Sequence, residues 1–349
     1  MKTANGVTTF SQRAIYDQRY AAGAYDHRSC VRVLTAEKVA LERAVTRTMA
    51  ANVESSTISI LDFGYGTGRV TNEFISSFPQ TFSEPRRNLR VVGYDVSSTG
   101  LRRASEDLQK NQDFMVSRDY EWDSQAIDGY VAQILTKQVD DVELKVVLVH
   151  GSEADPPEKV KDLLIAANGG TGYLTTTSWY SGLGHIVGES ARSEFFAQLS
   201  DLTQPAGELV VALAATGDLV ELQNEWYERL RNGLEYGYPI EVPGDVLYET
   251  ELGQLNFWHV FGTDLHKIMH AMQAGGRCCW IEAIRFPGDE FATPEAEARN
   301  YAEVKEFNAA VREPWWSAED FRKCHTVAVF SSGSVHTGTD AVRRFPPGG

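Results

Sequence analysis

Three glycines stand at alternate positions behind an aspartate in the segment LDFGYGTGR, residues 61–69. Glycine lets the backbone bend sharply and lets a ligand lie against bare main chain. A helix that begins directly after such a turn presents unpaired N–H groups to the ligand. The spacing therefore predicts a ligand-binding turn at residues 62–68. A dinucleotide turn, G-x-G-x-x-G, would require glycine at position 69, where this chain has Arg69.

A second acidic residue, Asp95, ends the strand-like run RVVGYD. An ionised carboxylate only accepts hydrogen bonds, so it can receive both hydroxyls of a ribose diol. In an open α/β sheet, ligands bind beyond the carboxyl ends of the strands. Asp95 is therefore expected at the same edge as the glycine turn.

Strand-like and helix-like segments alternate from residue 57 to residue 215. Strands followed by helices imply parallel pairing and right-handed crossovers, and hence an α/β fold with a doubly wound sheet. The predicted strands are 57–63, 90–95, 143–151, 171–179 and 205–215, and the predicted helices between them are 67–78, 98–111, 156–169 and 189–202.

The pattern D-x-G-x-G-x-G at 62–68 resembles the cofactor turn of the class I S-adenosylmethionine-dependent methyltransferases. In that family the residue that ends the second strand binds the ribose, and the loop after the third strand, here 151–155, contacts the adenine. The stretch after the fourth strand lines the methionine end and the substrate. The resemblance implies S-adenosyl-L-methionine as cofactor, with S-adenosylhomocysteine as product. The implied cofactor residues are Asp62, Gly64, Gly66, Gly68, Asp95, Ser152, Glu153 and Ser178, with Asp155 as a further candidate for the adenine contact.

The likeness is close over 55–215 and looser over 255–285 and 324–332. The last two segments would form the antiparallel hairpin that distinguishes the methyltransferase sheet from that of nicotinamide dehydrogenases. We therefore expect a mainly parallel seven-stranded sheet with helices on both faces. By elimination, a helical N-terminal cap of residues 1–50 precedes a Rossmann-like domain of residues 51–349, with cap insertions near 112–142, 217–255 and 287–322.

Aromatic residues crowd into two of these additions. Aromatic rings suit a site that holds a sulfonium cation and a flat apolar substrate while excluding water. The alternative for each ring is ordinary packing of an amphipathic helix, and for the second group it is at least as favoured. The first group, with its neighbours, is Tyr16, Tyr20, Tyr25, His27 and Arg28, and the second is Trp226, Tyr227, Tyr236 and Tyr238.

His185 follows the fourth strand, where a side chain could reach the substrate. An imidazole suits general-base chemistry near neutral pH, and the alternative is a histidine bonded to a loop carbonyl. Trp179 and Tyr180 could sandwich an aromatic acceptor or could pack in the core. Tyr16 and Tyr20 are the other catalytic candidates. The remaining histidines of the second half, His259, His266 and His270, have the spacing of ordinary helix and strand residues.

Charge and composition exclude several classes of partner. The chain has 33 Lys and Arg against 48 Asp and Glu, a net charge of −15, which repels nucleic acid and anionic membrane surfaces. No apolar stretch reaches the roughly 20 residues of a membrane span, and no signal sequence is evident, so a cytoplasmic protein is expected. The segment TTTSWYSGLGH offers no Asp or Asn ligands, so no metal is expected. The oligomeric state stays open, although such a cap is often shared across a homodimer.

A small, planar, aromatic metabolite is the favoured methyl acceptor. The pattern YDxRYxxGxYDHR has a likeness to bacterial natural-product enzymes that methylate indole rings, which predicts the C3 carbon of a tryptophan-derived or cyclodipeptide compound. Alternatives are N- or O-methylation of another secondary metabolite, a nicotinamide-dependent oxidoreductase, or a protein that binds the cofactor without turnover.

Overall fold

The computed structural model describes residues 12–23, 28–82, 86–119, 132–152, 155–179, 182–215, 244–249, 255–259, 261, 268, 277–285 and 324–332. The helices are α1 Gln12–Ala21, α2 Arg28–Ala51, α3 Arg69–Thr81, α4 Ser98–Gln112, α5 Pro157–Ala167 and α6 Glu189–Leu202, with a short 3-10 helix at Gly182–His185. The strands are β1 Thr57–Phe63, β2 Asn88–Asp95, β3 Met115–Arg118, β4 Ala132–Val139, β5 Val142–His150, β6 Tyr173–Ser178, β7 Thr203–Ala215, β8 Asp245–Glu249, β9 Leu255–His259, β10 Arg277–Arg285 and β11 Cys324–Ser332.

The main sheet has the strand order β10-β11-β7-β6-β1-β2-β5-β4-β3. The central strands β5, β2, β1, β6 and β7 run parallel, and β11 and β10 form an antiparallel hairpin against β7. The predicted doubly wound α/β fold and its seven strands are confirmed. The order reverses between β1 and β6, so the carboxyl ends of these strands form the crevice in which such sheets bind ligands.

Two further strands extend the sheet where the sequence suggested a cap. Strand β4 pairs antiparallel with β5, and β3 pairs with β4, so the sheet has nine strands. The side chain of Leu135 in β4 enters the core. Within the segment 112–142, the strand residues therefore belong to the sheet and cover the edge of β5. Within the expected insertion 217–255, β8 pairs antiparallel with β9 in a separate two-stranded sheet. Residues 120–131, 217–243, 250–254 and 287–322 of the expected insertions lie outside the described part of the chain.

Alternate residues of the central strands enter two hydrophobic layers. Ile60 and Val91 face α2, α3 and α4, whereas Leu61 and Val92 face α5 and α6. This period of two is the property of an extended strand buried on both faces. The layers fix the positions of the strand ends from which the site is built.

The two N-terminal helices have different surroundings. Helix α2 contributes Leu41 and Val45 to the core, and its Arg47 forms a buried two-pronged ion pair with Glu208 of β7, at 2.8 Å for both N–O distances. Helix α1 instead lies against the first turn of α4, where Asp17 accepts hydrogen bonds from the Ser97 hydroxyl and the Thr99 N–H. Of the expected cap, α1 is therefore the helix placed near the crevice.

Candidate functional site

The glycine turn joins β1 to α3 in the conformation that its spacing predicts. Gly64, Gly66 and Gly68 have φ angles of +82°, +53° and +70°, which other residues rarely adopt. The N–H groups of Gly64 and Tyr65 both donate to the Tyr94 carbonyl at 2.9 Å. These bonds hold the turn against the end of β2.

Gly66 is required for a second reason. A Cβ atom at this position would lie 2.3 Å from the hydroxyl oxygen of Tyr20, far inside contact distance. Tyr20 also packs against Gly100 at the start of α4. The glycines thus make room for a tyrosine from α1 as well as for the turn itself.

Asp95 is buried at the end of β2 and joins the turn to α4. Its Oδ2 accepts from the Gly66 N–H and its Oδ1 from the Ser97 N–H, each at 2.7 Å. Burial nevertheless raises the pKa of Asp95 to about 6, because desolvation outweighs the backbone hydrogen bonds. The two hydrogen bonds from Gly66 and Ser97 hold this carboxylate at the edge of the crevice.

Asp62 is buried near the end of the neighbouring strand β1. Burial raises the pKa of Asp62 to about 7, although the Thr71 and Thr177 hydroxyls act in the opposite direction and lower it. Thr71 donates to its Oδ2, while the Thr177 hydroxyl bonds the Leu61 carbonyl at 3.1 Å. Oδ1 accepts no hydrogen bond from the part of the chain that the structure describes. A buried carboxylate with an unmet acceptor is a position where a cationic or hydrogen-donating ligand group would be stabilised.

A cavity of about 430 Å³ opens above the carboxyl ends of β1, β2, β5 and β6. The glycine turn and the two aspartates line one end of it, which we call the cofactor end. Tyr16, Trp179 and His185 line the other, which we call the acceptor end. Residues that also line the cavity and that the sequence did not single out are Phe63, Tyr65, Thr67, Arg69, Val70, Tyr94, Val96, Val160, Gly182, Ile186, Val187 and Phe195.

The loop after β5 lines the cofactor end through Ser152 and Asp155. The Ser152 N–H donates to the Asp155 carboxylate at 3.2 Å, and Lys159 pairs with that carboxylate at 3.0 Å. Of the alternatives for the adenine contact, Ser152 and Asp155 therefore line the cavity, and Glu153 lies outside the described residues.

Two polar groups at the end of β6 are buried beside the cavity with no hydrogen-bond partner among the described residues. They are the hydroxyl of Ser178, which is 1% exposed, and the indole N–H of Trp179, which is 6% exposed. Buried polar groups are almost always paired in folded proteins. Both groups line the cavity, so a ligand there could satisfy them.

His185 ends the 3-10 helix and bonds a backbone carbonyl, which is the alternative that the sequence weighed against a general base. Its Nδ1 donates to the Phe257 carbonyl of β9 at 2.8 Å, and its ring lies edge-on to Tyr16 with centroids 5.3 Å apart. Burial lowers the pKa of His185 to about 4, assisted by the charge of Arg19. The ring is therefore neutral at pH 7 with Nδ1 protonated, which makes Nε2 its hydrogen-bond acceptor.

Helix α1 covers the cavity. Tyr16 and Tyr20 line it, and the Arg103 side chain donates to the Tyr20 carbonyl. Asp17, between the two tyrosines, holds α1 to α4 and was missed at the sequence level. Its position in YDQRY was the only available signal, because its partners lie eighty residues further along the chain.

Several predicted site residues are not placed at the cavity. Arg28 begins α2, but its side chain is not described. His259 is fully buried and pairs with Asp245 rather than lining the cavity. Tyr25, His27, Tyr180, Trp226, Tyr227, Tyr236, Tyr238, His266 and His270 lie outside the described residues.

The similarity of this chain to known proteins is in its three-dimensional structure. Neither a family model nor a curated protein matches the sequence. The chain is similar to a solved S-adenosylmethionine-dependent methyltransferase from Clostridium acetobutylicum, with a TM-score of 0.44 and 11% identity over 90% of this chain and 99% of that one. It is also similar to magnesium protoporphyrin IX methyltransferase from Synechocystis with bound S-adenosylhomocysteine, with a TM-score of 0.43 and 12% identity over 92% of this chain and 100% of that one. Identities and scores at this level leave the function to be inferred from the site itself.

The described residues contain neither a membrane-spanning helix nor a group of metal ligands. No helix among them is long and apolar enough to cross a membrane. In the same part of the chain, no group of three or more His, Cys, Asp or Glu side chains could hold a metal ion.

Proposed function

We propose that this protein transfers a methyl group from S-adenosyl-L-methionine to a small planar metabolite. The observation that carries the proposal is the cofactor end, where three left-handed glycines and two buried carboxylates meet at the reversal of strand order. When bound, the cofactor would supply an electrophilic methyl group on a sulfonium. Asp95 would receive the ribose hydroxyls, Ser152 or Asp155 would contact the adenine, and Asp62 and Ser178 would hold the methionine portion.

The charge of the cofactor end favours this ligand over a nicotinamide dinucleotide. S-adenosylmethionine carries an ammonium and a sulfonium, which the buried carboxylates of Asp62 and Asp95 would stabilise. The pyrophosphate of a dinucleotide is anionic, and the same carboxylates would repel it. Arg69 also occupies the position of the third glycine in the dinucleotide pattern.

The acceptor end favours an aromatic substrate with a hydrogen-bond donor. Tyr16 and Trp179 supply rings, and Ile186 and Val187, which follow His185 in the chain, add apolar surface. His185 would accept a hydrogen bond from the substrate through Nε2. Because its conjugate acid has a pKa of about 4, His185 would polarise and orient an N–H rather than store its proton.

An indole meets these requirements and is our best candidate. As C3 attacks the methyl group, the bond between the methyl carbon and the sulfonium sulfur would break and S-adenosylhomocysteine would leave. His185, or Tyr16 or Tyr20 from α1, would polarise the ring N–H, whose proton would pass to water. A tryptophan-derived or cyclodipeptide natural product is the expected source of the ring. N- or O-methylation of another planar metabolite uses the same geometry and is the main alternative. The cytoplasmic location and a homodimeric state are further proposals.

Calorimetric titration with S-adenosylhomocysteine tests the cofactor. We expect micromolar binding that Asp95→Ala weakens at least tenfold, a loss of about 1.4 kcal/mol. Asp141→Ala is the matched control, since Asp141 is an exposed carboxylate paired with Arg86 at the turn before β5. Binding of NAD instead would favour the oxidoreductase alternative and refute the proposal.

A panel of methyl acceptors then tests the substrate class. The panel would contain indole, tryptophan, tryptophan-containing cyclodipeptides and phenolic compounds, with methylated products detected by mass. Turnover of phenols alone would exclude the indole, and cofactor binding with no turnover of any compound would favour a non-catalytic binding protein.

A further inference from the structure

A buried cluster of charged and polar side chains lies behind the acceptor end, outside the cavity. Asp245 of β8 accepts from Nδ1 of His259 on the paired strand β9 at 2.7 Å, and Arg192 of α6 approaches the same carboxylate oxygen at 3.3 Å. The side chains are 0–2% exposed. Burying an ion pair usually costs more in desolvation than a hydrophobic replacement would, so the cluster needs an explanation other than stability.

Both ends of this cluster lead to His185. On one side, Arg192 donates through its other terminal nitrogen to the carbonyl of Ile186, the residue after His185, at 3.0 Å. On the other side, His259 stands two residues along β9 from Phe257, whose carbonyl accepts from Nδ1 of His185. The contacts therefore form a closed ring that starts and finishes at His185.

The chemistry of each member suits this arrangement. The planar guanidinium of Arg192 donates a hydrogen bond to the Ile186 carbonyl through one terminal nitrogen and forms an ion pair with Asp245 through the other, which a lysine ammonium on a flexible chain does poorly. The carboxylate of Asp245 ties α6 and β9 to β8 at one point. Because β8 and β9 form a two-stranded sheet apart from the main sheet, this tie is a direct polar link between the strand that carries Phe257 and the helix after His185.

We propose that Arg192, Asp245 and His259, which we call the Arg192 network, are positioning residues that hold His185 in the tautomer with a protonated Nδ1 and an accepting Nε2. This inference rests on the proposed function, in which that acceptor orients the substrate. The network fixes the Phe257 carbonyl from the side of β9 and the carbonyl of Ile186, the residue after His185, from the side of α6. Loss of either anchor releases the ring to exchange tautomers.

The test is the ring ¹⁵N spectrum of His185 in the full chain without cofactor or substrate. We expect one tautomer, with a proton on Nδ1, in the wild type. Arg192→Lys and Asp245→Asn should each lower the ratio of this tautomer to the other by about tenfold, the effect of losing a buried hydrogen bond. His259→Asn is a milder third variant, because an Asn amide can still donate near the position of Nδ1.

Arg47→Lys is the matched control. The Arg47–Glu208 pair is equally buried, with side chains 6% and 3% exposed, but joins α2 to β7 and has no contact with His185 among the described residues. We expect Arg47→Lys to lower the melting temperature as the network variants do while leaving the His185 tautomers unchanged.

Two results would overturn the inference. One is a wild-type His185 with its proton on Nε2, which needs no variant to detect. The other is a set of network variants that lose thermal stability and keep the wild-type tautomer ratio, as the control does. Because no ligand is present, failure of the methyltransferase proposal would leave both measurements unaffected.

Discussion

The two ends of the cavity are built in different ways. The cofactor end comes from neighbouring strand ends, and backbone hydrogen bonds from Gly64 and Gly66 to β2 hold it together. The acceptor end brings together α1, the 3-10 helix and β9, which are far apart in the sequence, and it depends on side chains such as Asp17 and His185. One end follows from the fold of the sheet, whereas the other depends on how separate elements dock.

The ends also differ in electrostatics. Burial raises the pKa of Asp62 and Asp95, so both side chains favour the protonated, neutral form unless a cation binds beside them. The same physical cause lowers the pKa of His185 and keeps the acceptor end uncharged. In the proposed function, desolvation would favour a cationic cofactor at one end and a neutral acceptor at the other. If this division is correct, substitutions at one end should leave the function of the other intact.

The largest effect is expected at His185. An Asn side chain can replace Nδ1 as donor to the Phe257 carbonyl but cannot reach the position of Nε2. We expect His185→Asn to lower kcat about 10²-fold, the lower range for loss of an acid–base group, because this histidine is a weak base. Binding of S-adenosylhomocysteine should stay within about twofold, as calorimetry on the same sample would show.

His185→Gln is the companion variant, because its longer side chain carries an acceptor near the position of Nε2. It should retain more activity than His185→Asn and lose more stability, since the Phe257 carbonyl then lacks its donor. The reverse order of activity would mean that His185 acts through its structural hydrogen bond alone. A tenfold loss of cofactor affinity in either variant would break the separation of the two ends.

The next effect is expected at Gly66. Alanine here meets both a left-handed backbone angle and the Tyr20 hydroxyl oxygen 2.3 Å from its Cβ. The conformation alone costs about 1 to 2 kcal/mol, and the clash displaces α1 from the turn. We expect Gly66→Ala to weaken S-adenosylhomocysteine binding at least tenfold, as measured by calorimetry.

Alanine variants of two other glycines separate the cost of the left-handed backbone from the clash with Tyr20. Gly64 and Gly170 have φ angles of +82° and +87°, and nothing lies within 4 Å of the position that an alanine methyl group would take at either residue. Gly170 follows α5 and does not line the cavity. Gly170→Ala should lower stability without changing affinity, and Gly64→Ala should show the conformational cost at the turn itself. If Gly66→Ala bound no worse than Gly64→Ala, the contact with Tyr20 would have no role in cofactor binding.

The contrast also explains what the sequence could predict. The sequence predicted that the glycine turn, Asp62 and Asp95 lie at one edge of the sheet, and the structure places them there. The prediction was possible because the carboxyl ends of parallel strands meet at the same edge of a sheet. The strand bounds followed from β-branched runs buried on both faces. Of the two extra edge strands, β4 was missed because four of its eight residues, Gln133, Thr136, Lys137 and Gln138, are polar and interrupt any apolar pattern. Strand β3 was missed because it has only four residues, of which Met115 is exposed. A segment of that length carries too little periodicity to separate a strand from a loop.

The acceptor end was predictable only in part. His185 was placed after the fourth strand by the fold, but its partner Phe257 belongs to a hairpin that no local pattern joins to it. Asp245 and His259 form a pair only because β8 and β9 align them directly across the hairpin. Such contacts depend on tertiary docking, and one sequence contains no periodic signal for them.

The most direct test of the electrostatic contrast concerns Asp62. Its pKa in the folded chain is about 7 against an ordinary value of 3.8. Between these values the folded state holds a proton that the unfolded state has lost, so wild-type stability should fall as the pH rises from about 4 to 7. Asp62→Asn removes this dependence and should be the more stable protein at pH 8, by about 1 to 4 kcal/mol. Chemical denaturation at pH 5 and pH 8 measures the difference.

The same variant should bind S-adenosylhomocysteine about tenfold more weakly, because the amide lacks the charge that holds an ammonium group. Asp141→Asn is the control, since Asp141 is exposed and its pKa is lowered by the Arg86 side chain that donates to it. That substitution should show no gain in stability at high pH and no loss of affinity. A variant of Asp62 that gained stability without losing affinity would mean that the buried carboxylate faces no cation, and the cofactor end would then have to be explained by a neutral ligand. A loss of both stability and affinity would instead assign Asp62 to the structure of the turn, through its hydrogen bond from Thr71.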